Sequence, residues 1–194
     1  MSILALTSDT LVGTAGAGQI EYNGQFFGTD SNASRAQLQR ITQGTAVAST
    51  SGTSIDFTGI PAWVKRITVM FSNVSTNGTS NYLIQLGYSG GIENTGYISV
   101  ANQQSGSGSG TTTSTAGFVL FMGAAATTAY GQVFISTLGS NQWVASGSVT
   151  QASNVNTYTS GGKTTTGTLD RVRITTVNGT DAFDAGTVNI IYEG

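Results

Sequence analysis

Three aspartates crowd the C-terminal part of the chain: Asp170, Asp181 and Asp184, with Asn178 among them. Two carboxyls about 5 to 10 Å apart in a cleft, one with its pKa raised by burial, would be the equipment of a glycosidase. Asp181 and Asp184, however, stand in a Gly/Asn/Thr context in which aspartate side chains accept backbone N–H bonds and cap turns. That reading outweighs catalysis. Hard oxygen ligands are at hand all the same, so Asp181 and Asp184, with nearby carbonyls, are the calcium candidates of this chain. Beyond that weak candidate, no metal and no cofactor are expected. Histidine and cysteine are both absent. Their absence removes Ser-His-Asp and Cys-His nucleophiles, disulfides and the commonest transition-metal ligands together. Gly106, Gly108 and Gly110 are followed by Thr and Ser rather than by a helix, so they form no nucleotide cradle. The chain is expected not to be an enzyme.

Binding chemistry is the alternative. The stretch Gln103 to Gly117 (QQSGSGSGTTTSTAG) has the composition of a flexible loop. Ser146 to Gly167 is similar, interrupted by Tyr158. Ser and Gly with an occasional aromatic are the chemistry of adaptable contact surfaces. Ser105, Ser107, Thr112, Tyr158 and Trp143 are therefore the receptor-contact candidates. Trp143 and Trp63 have a competing role as core or subunit packing, because a tryptophan's large apolar body is more often buried than displayed.

The elements that must carry these residues read as strands. Ile55 and Phe57 alternate with polar neighbours, as do Ile67, Val69 and Phe71, then Val172 and Ile174, then Val188, Ile190 and Tyr192. Asn77-Gly78 and Asn178-Gly179 punctuate these runs as turns. Further strands are expected at Tyr82–Tyr88, Gly96–Val100, Phe118–Met122, Tyr130–Thr137, Gln142–Val149 and Asn154–Tyr158. About ten short strands at this spacing predict an all-β fold, a jelly-roll-like antiparallel β-sandwich, over residues 46–194. Phe118–Met122 is apolar on both faces; it is either central between two layers or pressed against another subunit. Residues 1–45 differ. A hairpin is expected around Asn23-Gly24, followed by a short helix over Ala33–Ile41 capped by Ser31-Asn32. Such a segment cannot bury itself, so it is read as an attachment or trimerisation segment.

Only 8% of residues are charged, the net charge is −2, and no basic cluster exceeds the pair Lys65-Arg66. Nucleic acid is thus not expected as a partner. Insertion into a membrane is not expected either, since the most apolar stretch, Gly117 to Ala126, is about half a bilayer span. The beginning MSILALTSDT lacks a basic n-region, and no signal peptide is expected.

Two segments carry a resemblance. The run TSGTSIDFTGIPAWVKRITVMFSNVSTNGTSNYLIQLG (Thr50 to Gly87) resembles a segment of tail-fibre and other virion proteins of tailed phages. LDRVRITTVNGTDAFDAGTVNIIYE (Leu169 to Glu193) is similar to the ending of the same proteins, and Gly18 to Gln39 more loosely to the stretch that joins a fibre shaft to its tip. Residues 101–168 match nothing in that family. The resemblance implies a bacteriophage virion structural protein: a homotrimeric fibre or tail-tip subunit, made in the host cytoplasm and exposed on the particle. Residues 1–45 would dock on other virion proteins, and the sandwich would face a bacterial surface glycan or protein. A capsid decoration or head-fibre protein without a specific receptor is the first alternative, and a carbohydrate-binding module the second.

Overall fold

Alternation along the longest strands decides which face each one buries. In Arg66–Thr76, Ile67, Val69 and Phe71 are buried, and in Phe183–Glu193, Val188 and Ile190 are buried. The computed structural model of the protein describes residues 17–22, 26–30, 32, 34–152 and 154–194. It divides into two compact units, Met1–Arg40 and Ile41–Gly194.

In the first unit, β1 (Ile20–Tyr22), β2 (Phe26–Thr29) and β3 (Arg35–Gln37) form an antiparallel sheet in that order. Ile20 pairs with Gly28 and Tyr22 with Phe26; the Asn-Gly residues between them lie outside the described residues. The helix expected over Ala33–Ile41 is not formed. Arg35–Gln37 is extended and pairs with β2, Phe27 opposite Gln37. Asp30, not the expected cap, organises the entry: its Oδ1 accepts the N–H groups of Asn32 and Ser34, each at 2.9 Å. Those bonds close a turn that returns the chain onto β2, and tertiary pairing overrides the weak helix propensity of so short a segment.

The second unit begins with β4 (Ile41–Gln43) and β5 (Val47–Ala48). Then follow β6 (Ser54–Thr58), β7 (Arg66–Thr76), β8 (Tyr82–Tyr88) and β9 (Gly91–Ile92). The next four are β10 (Ile98–Ser105), β11 (Gly108–Ser114), β12 (Phe118–Leu120) and β13 (Ala129–Gly139). The last four are β14 (Gln142–Gln151), β15 (Val155–Thr164), β16 (Arg171–Thr176) and β17 (Phe183–Glu193). The large sheet runs β11-β10-β15-β14-β13-β7-β17-β4, with β5 also on β17; the small one runs β12-β8-β16-β6, with β9 on β8. Every pairing is antiparallel. Val69, Val133, Val149 and Ile190 of the large sheet share one core with Ile55, Ile84, Leu86, Val172 and Ile174 of the small. The fold is all-β and sandwich-like.

Both segments of loop-like composition are largely strand, and the strands expected at Gln142–Val149 and Asn154–Tyr158 reach into the second of them. Gln103 to Gly117 holds most of the β10–β11 hairpin, turned only by Gly106 and Ser107, and Ser146 to Gly167 holds the end of β14 and all of β15. Threonine's branched Cβ suits a pleated surface, and the register with neighbouring strands supplies the bonds that composition alone does not reveal.

The two-sided strand Phe118–Leu120 is central. Phe118 and Leu120 join the main core, while Val119 packs with Leu83 and Ala101 in a second cluster. Burial within one chain therefore accounts for both faces, and the strand gives no reason to invoke a neighbouring subunit. It pairs with β8 on one side only. On its other side, side chains of the large sheet stand in for a strand. The Val119 N–H donates to Ser99 Oγ at 2.9 Å, and Thr159 Oγ1 donates to the Val119 carbonyl at 2.7 Å. Thr157 Oγ1 and Gln151 Nε2 both donate to the Phe121 carbonyl at 2.8 Å. The buried edge is thus satisfied without a ladder, as the cost of an unpaired interior amide demands.

Candidate recognition surface

Across β10, β11, β13, β14 and β15 the only charged residue is Lys163. Its ammonium faces inward, 3.0 Å from Glu93 Oε2 and 5.3 Å from the centre of the Tyr97 ring. Burial would raise the Glu93 carboxyl, but hydrogen bonds from Thr166 and Lys163 outweigh it and hold the group below its ordinary value. The outward face of this five-strand region carries no charge at all.

Register places the residues of that face. Asn102, Tyr158, Ser148 and Gln132 lie in one row across β10, β15, β14 and β13. Val100, Ser160, Ser146 and Phe134 form the next, and Ile98, Gly162, Val144 and Ser136 the one after. Tyr158 is 51% exposed, Tyr130 45% and Phe134 38%. The polar side chains brace one another. Thr111 Oγ1 donates to Asn102 Oδ1 at 2.7 Å, Thr150 Oγ1 to Asn156 Oδ1 at 2.7 Å, and the Tyr130 hydroxyl to Asn73 Oδ1 at 2.7 Å. The result is a stiff, neutral plane of hydroxyls and amides on which aromatic rings stand, with β15 and β13 about 10 Å apart.

Of the residues singled out from sequence, Tyr158 sits in the middle of this plane. Ser105 and Ser107 form the β10–β11 turn at its end, with the Ser105 hydroxyl donating to the Gly108 carbonyl at 3.1 Å. Thr112 points to the other side, where its Oγ1 receives a long bond of 3.4 Å from Asn81 Nδ2. Trp143 is not a surface contact: it is 6% exposed and belongs to the core. Tyr130 and Phe134 are not among those residues, although their strand carries a signal. With Val133 and Ile135 buried, the apolar Phe134 between them breaks the alternation and must face outward.

The aspartates are engaged separately. Asp181 Oδ1 accepts from Asn178 Nδ2 at 2.6 Å and its Oδ2 from the Ser80 N–H at 2.9 Å, which together hold the carboxyl below its usual value. Asp184 instead accepts the Ser75 hydroxyl. Among the described residues, no group of three or more His, Cys, Asp or Glu side chains is gathered as a metal site would need. Likewise, no helix among the described residues is long and apolar enough to cross a membrane.

No protein-family model, curated protein or solved structure matches this chain.

Proposed function

We propose that the chain is a non-catalytic structural protein of a bacteriophage virion, a fibre or tail-tip subunit that attaches the particle to its bacterial host. The observation that carries this reading is the uncharged outward face centred on Tyr158, with Tyr130 and Phe134 beside it. Rigid rings flanked by amides and hydroxyls are the chemistry by which proteins hold neutral sugars and polar protein surfaces. The segments with phage-like sequence support it by their position. Thr50 to Gly87 holds β6, β7 and β8, and Leu169 to Glu193 holds β16 and β17. The strands of the face are inserted between those two parts, as a display surface is inserted into a frame.

On this reading the sandwich is a jelly-roll-like tip, three copies form the appendage, and the N-terminal residues dock on other virion proteins. Trimeric display multiplies weak contacts into avidity. A carbohydrate-binding module would use the same face, and the row Asn102–Tyr158–Ser148 favours glycan over protein as its target.

The test is adsorption of purified protein to host cells, alongside labelling of intact particles. Tyr158→Ala combined with Phe134→Ser should weaken adsorption at least tenfold, since each anchor carries about 1–2 kcal/mol per copy. Both side chains are partly exposed, so thermal stability should change little. Unchanged adsorption, or label on the shell and none at the tail, would overturn the reading in favour of capsid decoration.

A further inference from the structure

Asn77-Gly78-Thr79 and Asn178-Gly179-Thr180 are the same tripeptide in two turns that touch each other. An asparagine before glycine is chemically labile, because no side chain keeps the glycine nitrogen from the asparagine Cγ. As sequence the two sites are equal. The fold makes them different.

Asn178 is held from several directions. Its Oδ1 accepts from Thr176 Oγ1 at 2.8 Å, from the Thr180 N–H at 3.1 Å and from the Asp181 N–H at 3.2 Å. Its Nδ2 donates to Asp181 Oδ1 at 2.6 Å. The Gly179 N–H, the group that would have to lose its proton, donates to the Thr176 carbonyl at 3.0 Å. Asn77, by contrast, is exposed, and among the described residues its side chain makes a single bond, Oδ1 accepting the Ala182 N–H at 2.9 Å. The Gly78 N–H has no acceptor among the described residues.

We infer that Asn77 is a site of spontaneous deamidation in the folded protein, and that Asn178 is protected from the same reaction. The Gly78 nitrogen loses its proton and bonds to Asn77 Cγ. The Cγ–Nδ2 bond breaks, and the amide nitrogen takes up that proton and leaves as ammonia. Water then opens the cyclic imide, at Cγ to give aspartate or at the main-chain carbonyl to give isoaspartate. The Asp181 carboxylate beside Gly78 resists charge on that nitrogen, but solvent at this exposed turn screens it. Either product sets a second negative charge near Asp181. Isoaspartate also lengthens the backbone by a methylene and disturbs both bonds that Asn77 exchanges with Ala182, N–H to carbonyl and Oδ1 to N–H. The modified turns are tied together less firmly.

The test holds the wild-type protein in mildly alkaline buffer, folded or in urea, and follows both sites by mass spectrometry of peptides. Cleavage after Phe71 and Tyr82, and after Leu169 and Phe183, puts the two asparagines on separate short peptides. Conversion raises a peptide's mass by the difference between NH₂ and OH. In urea the two sites should react at equal rates. In the folded protein Asn77 should stay within about tenfold of its urea rate, since one side-chain bond is given up, and Asn178 should react at least about tenfold more slowly than Asn77. Asn77→Ser should abolish the gain in the first peptide, where Asn73 and Asn81 precede Val and Tyr. The modified fraction, separated by its extra charge, should unfold at lower urea than the unmodified one. Similar rates at the two sites in the folded protein overturn the inference, as does an intact Asn77 when the urea sample is spent. An unchanged urea midpoint in the modified fraction overturns the loosening of the turns.

Discussion

The carboxylate of Asp181 occupies the space that a side chain on residue 78 would need: a Cβ built on Gly78 overlaps it. The turn after β7 and the turn before β17 are thereby locked together. Ser80 N–H donates to Asp181 Oδ2, Asn178 N–H to Ser80 Oγ, and Ala182 N–H to Asn77 Oδ1. Gly78→Ala should destabilise the fold by about 2 kcal/mol, because the overlap forces the loop or the carboxylate to move. The urea midpoint should fall with an unchanged slope. Gly78→Ala/Asp181→Ala should cost less than the two single changes summed. Strict additivity would mean the two residues do not act on each other.

Thr159→Val tests the side-chain edge of β12. The isosteric change keeps the volume and leaves the Val119 carbonyl buried without its donor, which should cost about 1–3 kcal/mol. Ser160→Ala, one residue along and outward, should stay within about 0.5 kcal/mol of wild type. Equal effects of the two would show that water replaces the Thr159 hydroxyl without loss.

The acid and alkaline limits follow from the depressed carboxyls and the buried phenols. Asp170, beside Arg171, and Asp181 and Glu93 are all held below their ordinary values in the fold. Their contribution is present above the unfolded carboxylate value of about 4 and is lost as pH falls through the folded ones. Without histidine, stability should be flat between about pH 5 and 8. Burial pushes Tyr82 up to about 12 and Tyr97 in the same direction. Their contribution is full below the unfolded value of about 10 and is lost as pH rises beyond it. Phenolate absorbance should therefore rise in two stages, the second coinciding with loss of the β-type circular dichroism. A single stage near pH 10 with an intact spectrum would contradict this.

Truncation should separate the two units. Removal of residues 1–40 should leave the melting temperature of the remainder within a few degrees. Removal of 1–45 should lower it further, because β4 pairs with β17 through Ile41–Glu193 and Gly44 N–H donates to the Ile190 carbonyl. Equal melting temperatures for the two truncations would show that β4 is dispensable.

The frame was legible in the sequence because its strands bury one face each. Ile55 and Phe57, Ile67 and Val69, or Val172 and Ile174 announce their strands by alternation, and Tyr82–Tyr88 has the expected bounds. β14 was expected nearly in full at Gln142–Val149, but β11 and the far halves of β10 and β15 were hidden for the opposite reason. Ser99, Thr157 and Thr159 point inward as donors and acceptors for β12, so no apolar period runs along β15, whereas Trp143, Ala145 and Val149 do mark β14. Tyr158 could be found by its isolation among small polar residues. The short helix failed where one aspartate, Asp30, offered its carboxylate to a turn instead.

The neutrality of the large sheet's outer face also sets how a partner would arrive there. With no charge on the outward face of these five strands, local steering would be weak, and on the proposed reading a ligand would arrive near the unsteered rate of about 10⁵–10⁶ M⁻¹s⁻¹. On the proposed reading, adhesion through this face would depend only weakly on ionic strength.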